Sequence, residues 1–207
     1  YGIWMMLGIY PPPPHSGIVD MLGFLLLIII LAIFPVTINK TPILFIQGVS
    51  LAAFLTFGLF VEVLLTQAAI LALTIKVRVW EVAWIRIPIN MLMFFLVSVM
   101  SGLAYYWFGG STDPAEILSA ANLWPILAYI LTYFAVNQLL IFFIVLFIYK
   151  KDRELWGRDI LWEMLCSIIV FPIGLALFAL YQKIGSAAVL CIGIPLVCLA
   201  VIMQTYY

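Results

Sequence analysis

The chain has 207 residues, is 67% hydrophobic and only 9% charged, and its nine Lys/Arg balance nine Asp/Glu. A soluble domain is about 45–50% apolar and about 25% charged. With a mean hydropathy of +1.27, the composition excludes a soluble globular enzyme and a disordered tail, and the lack of a basic surface excludes a nucleic-acid binder. What remains is an all-α polytopic membrane protein, a transmembrane helix bundle whose partner is the lipid bilayer.

Residues 1–16 read as an N-terminal extension and 17–207 as one integral-membrane helical domain. Tyr1–Tyr10 is apolar but too short to span, and it lacks the basic start and cleavage site of a signal peptide. Because the chain opens on tyrosine, this stretch reads as the end of a truncated helix or as an interfacial segment. Pro11–Pro14 stop any helix. His15 is the single histidine and has no ligand partner near it in sequence, so no metal site is expected. Cys166, Cys191 and Cys198 lie in apolar runs and read as small packed hydrophobes.

The first span is predicted at Gly17–Val36, with Asp20 at its start. A polar link, Asn39–Pro42, follows. From Ile43 to Ile75 the chain is apolar for 33 residues. One helix of that length would be about 50 Å long, against a hydrocarbon core of about 30 Å. The stretch is therefore read as two short helices that meet near Gly58–Glu62, with Gly58 supplying the break. Lys76–Arg86 interleaves three basic residues with Trp80 and Trp84, as at a membrane interface. Spans at Ile87–Phe108 and Asn122–Tyr149 flank a loop, Gly109–Ala121, that holds Asp113 and Glu116. Lys150–Glu163 carries four cations and four acids and reads as a solvated amphipathic loop. The last spans are Met164–Tyr181 and Ser186–Gln204, joined by a turn at Gln182–Gly185. Pro172 and Pro195 lie deep enough in them to kink the helices. The count is seven spans, or six if the Ile43–Ile75 pair is partly re-entrant.

Counting cations orients the chain. With Lys76–Arg86 inside and alternation from there, the inner side holds eight cations and the outer side only Lys183. By the positive-inside rule the N-terminus is then outside and the C-terminus cytoplasmic.

Polar groups inside lipid are the candidate functional residues. Asn137 and Gln138 fall near the middle of the fifth span and Asn90 one turn into the fourth. Each is a ligand or switch candidate, or else a hydrogen bond between helices. Glu62 is the single ionisable side chain in the Ile43–Ile75 run. The topology puts it near the outer surface, where it reads as a solvated turn carboxylate or as a proton or cation site. Tyr105, Tyr106, Tyr129 and Tyr133 are interface anchors or the lining of an aromatic pocket. Lys150, Arg153, Trp156 and Arg158 are candidates for contact with a cytoplasmic partner. No nucleophile elbow, zinc-protease or phosphate-loop motif occurs, so no catalytic residue and no cofactor is expected in this chain.

Several segments resemble the multi-span N-terminal membrane modules of bacterial GGDEF (diguanylate cyclase) and HD-GYP (phosphodiesterase) signalling proteins. Arg86–Gly110, RIPINMLMFFLVSVMSGLAYYWFGG, is similar in its basic start, Asn90 and the closing Gly109-Gly110, with Ile89 where that family has an aromatic residue. Ile130–Lys151 is similar around Asn137, and WGRDILWEML, FPIGLALFALYQKIG and IPLVCLA also fit. The resemblance covers about Gly17 to the C-terminus. It implies a sensory input module of the bacterial inner membrane that acts on a cytoplasmic cyclic di-GMP domain, and a homodimer. No catalytic residue carries over, because that chemistry lies in the domain that follows. Two other classes fit the size: the vitamin-binding membrane subunit of a small-solute uptake transporter, and a scaffold subunit of a membrane complex. The first span lacks the Ala-x-x-x-Ala docking pattern of such uptake subunits.

Overall fold

The computed structural model describes residues 17–34, 36–38, 41–43, 45–76, 86–144, 146 and 153–206. Among these are seven α-helices: α1 (Ile18–Ile33), α2 (Ile46–Phe57), α3 (Leu59–Lys76), α4 (Arg86–Trp107), α5 (Leu123–Phe143), α6 (Arg153–Ile184) and α7 (Ala187–Tyr206). A two-stranded antiparallel hairpin, β1 (Val36–Ile38) and β2 (Thr41–Ile43), separates α1 from α2, with Thr37 opposite Pro42. The polar link expected there is thus partly ordered as strands. Pro42 is tolerated because a two-stranded ribbon has free edges. His15 and the Pro11–Pro14 run lie outside the described residues.

Three segments are long and apolar enough to cross a membrane: Ile87–Trp107, Ala120–Phe143 and Met164–Ile184. Ile18–Ile33, Ile46–Phe57, Leu59–Leu73 and Ala187–Ile202 are apolar but shorter. Length and composition therefore support three spans among the described residues, where hydropathy alone suggested six or seven. The reason is geometric: a 16-residue helix such as α1 reaches about 24 Å, short of the roughly 30 Å core. The charged segment before Met164 also differs from expectation. It is not all loop, because α6 starts at Arg153 and runs 32 residues through Pro172.

At the centre stands α2, every residue of which is buried. It runs parallel to α6 in close contact. A Cβ on Gly48 would lie 2.2 Å from the Val170 carbonyl oxygen, and one on Gly174 would lie 2.1 Å from that of Gly48. Only two glycines let these backbones approach so closely. Beside the crossing, Ser167 donates a buried hydrogen bond to Gln47 Oε1 at 2.9 Å. The outward faces of α4, α5 and α7 expose Leu92, Phe95, Leu131, Leu139, Leu190 and Ile194. Such a continuous apolar surface suits lipid rather than water.

One end of the bundle gathers three chain reversals and the start of α1. Phe24 of α1 packs edge-on against Phe57 at 5.1 Å and against Tyr181 at 5.6 Å. This brings the start of α1, the Gly58 junction and the Gly185 turn together. The α4–α5 loop joins them through Phe54 and Tyr105, 5.1 Å apart. The hairpin sits at the opposite end, β1 against α7 and β2 against α6. Trp107 and Trp124 lie exposed at helix ends, as interface anchors do.

Candidate functional site

The site begins with the break between α2 and α3. Gly58 has φ 84° and ψ 172°, a conformation essentially restricted to glycine. Its N–H closes α2 by donating to the Phe54 carbonyl at 2.9 Å, and its carbonyl accepts from Glu62 N–H at 3.2 Å as α3 opens. The chain folds back sharply, so Ser50, two turns before the break, meets Glu62, one turn after it.

Glu62 is fully buried. Its Oε1 accepts from the hydroxyl of Ser50, from Thr66 at 2.9 Å and from Ser98 at 2.9 Å. Thr66 shares the Glu62 face of α3 by its i+4 spacing. Ser98 comes from α4, which runs antiparallel to α3. The two helices close up where Gly102 faces Leu59; a Cβ on Gly102 would lie 2.6 Å from that side chain. Three helices thus converge on one carboxyl oxygen. The other, Oε2, has no hydrogen-bond partner among the described residues. Glu62 also sits in the first turn of α3, where the helix dipole favours negative charge.

An aromatic run borders the cluster. Tyr105 packs edge-on to Phe54, and Phe54 stacks on Tyr129 at 4.8 Å. Tyr129 stacks on Tyr133 at 6.1 Å, and Tyr133 packs edge-on to Phe171 of α6 at 5.6 Å. Tyr129 is fully buried and lies beside Ser50 and Glu62.

The candidates named from sequence separate into groups. Glu62 is not the solvated turn carboxylate its topological position suggested. It does lie near the reversal, but α2, α3 and α4 enclose it because the chain folds back into the bundle. Tyr105 and Tyr133 belong to one packed aromatic run with Phe54 and Tyr129. The Tyr105 hydroxyl also donates to the Ser111 carbonyl at 2.6 Å and accepts from Asn122 Nδ2 at 2.9 Å. Asn137 and Gln138 are buried on α5, with Asn137 one turn beyond Tyr133. Asn90 is exposed on the first turns of α4. Arg153, Trp156 and Arg158 lie on the backbone of α6; their side chains, and all of Lys150, lie outside the described residues. Sequence reasoning missed Ser50, Thr66 and Ser98, although the Glu62–Thr66 spacing was a usable signal. It also missed Asn122, which accepts from Ser111 N–H at 3.0 Å and donates to the Ile117 carbonyl at 2.7 Å.

No protein-family model matches this chain, and neither a curated protein nor a solved structure does.

Proposed function

We propose that this chain is the membrane-embedded input module of a bacterial signalling protein, passing a cue to a cytoplasmic cyclic di-nucleotide domain. The observation that carries the reading is the Glu62 cluster. An ionisable side chain buried in an apolar bundle is costly and marks a functional position. This one joins α2, α3 and α4 at a helix break. A change at Glu62 alters the relative stability of two packings of those helices. The Gly48–Gly174 crossing couples α2 to α6, and α6 leads through the Gly185 turn to α7 and the C-terminus.

The topology suits this role. The reversals at Gly58, Gly109–Ala121 and Gly185 gather at one end of the bundle, read here as the outer one. The cation count made on the sequence, eight of nine on the inner side, favours a hairpin end that faces the cytoplasm together with the C-terminus. That is where an output domain must attach. The similarity of Arg86–Gly110 and Ile130–Lys151 to cyclase-linked modules points the same way, and a homodimer would bring two output domains together.

The test has two steps. The gene beyond the codon for Tyr207 should encode a GGDEF or HD-GYP domain. In the full-length protein in lipid, Glu62→Gln should change cyclic di-nucleotide turnover several-fold without loss of folded protein. A stop codon at that point, or turnover that Glu62→Gln leaves untouched, would overturn the proposal.

A further inference from the structure

We infer that Glu62 is an exchangeable proton site: its carboxyl takes up and releases one proton inside the bundle, and the packing described here holds the proton-loaded form. The inference rests on the reading of the Glu62 cluster as the switch of the module, and it names the ligand of that switch.

The geometry distinguishes the two forms of the carboxyl. An ionised carboxylate spreads its charge over both oxygens, and each seeks donors. Here the hydroxyls of Ser50, Thr66 and Ser98 all crowd Oε1, while Oε2 is buried with no partner among the described residues. The three hydroxyls favour the ionised form, but burial opposes it, because half the charge is left bare in an apolar interior. The neutral acid fits the same heavy atoms. Its Oε1–H donates to one hydroxyl and its Oε1 lone pairs accept from the other two. Oε2 is then a neutral carbonyl oxygen, which costs less to leave unpaired than half of a buried negative charge. Each hydroxyl is both donor and acceptor, so rotation about a C–O bond converts one pattern into the other.

Among the described residues the surroundings supply no fixed counter-charge, and no cationic side chain pairs with Glu62. The titratable groups on the elements packed around it include Tyr129 and Tyr133 of α5, Tyr105 and Tyr106 of α4, and Tyr181, Cys166 and Lys183 of α6, with Asp20 at the start of α1 and Lys76 and Arg86 at the far ends of α3 and α4. The tyrosines are neutral, and Asp20 would add a like charge. Neutralising Glu62 therefore falls to a small exchangeable cation, and the full burial of the carboxyl with Oε2 unpaired favours the proton. The step is R–COOH to R–COO⁻ with the proton passed to water at the Gly58 end, one turn away; no electron moves. On release, all three hydroxyls must turn their hydrogens toward the anion. That draws on α2 and α4 together, and it couples proton occupancy to helix packing.

Infrared spectroscopy of the purified chain in lipid across a pH series tests this directly. A C=O stretch of a protonated carboxyl should appear at low pH, fade as pH rises, and be missing in Glu62→Gln. In Ser98→Ala, which keeps the carboxyl, the midpoint of the fade should move. A Glu62 band present at every pH, or at none, would overturn exchange. A band abolished by sodium at constant pH would identify a metal-cation site instead and equally overturn the proton assignment. The readout does not involve cyclic di-nucleotide turnover. A titrating band with unresponsive turnover would therefore refute the signalling role alone, and the reverse would refute the proton alone.

Discussion

Among the described residues two glutamates accept hydrogen bonds from serine hydroxyls, and their settings are opposite. Glu62 lies in the interior, where hydroxyls from three helices meet its Oε1. Glu116 lies in the exposed loop between α4 and α5, where Ser111 donates to its Oε2 at 3.1 Å and Asp113 and Ala115 complete a set of local turn bonds. Water can replace every bond at Glu116. At Glu62, a lost bond leaves a buried polar group with nothing in exchange. The comparison shows that residue type and partner type alone do not make a site. Burial and the number of separate helices drawn in decide whether the side chain can influence the bundle.

Removing each carboxyl should break the comparison most visibly. Glu62→Ala strands the hydroxyls of Ser50 and Ser98 and opens a void, so thermal unfolding in detergent should show a loss of about 3 kcal/mol or more. Glu116→Ala should leave Tm unchanged. Next in size is the crossing that couples α2 to α6. Gly174→Ala sets a methyl against the Gly48 carbonyl, and a loss of about 1–3 kcal/mol is expected in the same assay. Equal stability of that variant would show that the helices can separate freely. Tyr105→Phe removes one donor to the Ser111 carbonyl and one acceptor for Asn122, and should lower stability by about 1–2 kcal/mol. Hydrogen exchange should quicken in the Gly109–Ala121 loop while amides of α2 stay protected. The smallest effect belongs to Ser111→Ala, whose exposed bonds water replaces; its Tm should match the parent.

Much of the helical order was legible in the sequence. The excess length of Ile43–Ile75 required a break, and Gly58 was the residue able to make it. The Gly109-Gly110 stop and the Gly185 turn were readable for the same reason. The span count was not, because hydropathy reports apolarity and not how many residues stay helical once a hairpin and reversals are formed. The Val36–Ile43 hairpin was too short to leave a periodic pattern. At the site, Glu62 was visible as the lone acid of its run, but its surroundings were not. Topology put it near a reversal, and a reversal reads as solvent-facing unless the fold-back into the bundle is known. Ser50 and Ser98 carry no signal of their own, since small hydroxyl residues are common in apolar helices. Only the packing of α2, α3 and α4 brings them to one oxygen.

The most direct test of that convergence is a double-mutant cycle between Glu62→Gln and Ser98→Ala, read as unfolding free energy and set beside the cycle between Glu116→Gln and Ser111→Ala. The account predicts a coupling of about 1–2 kcal/mol for the interior pair and none within error for the loop pair. Additive effects at Glu62 and Ser98 would contradict it, because the carboxyl could not then be held between α3 and α4.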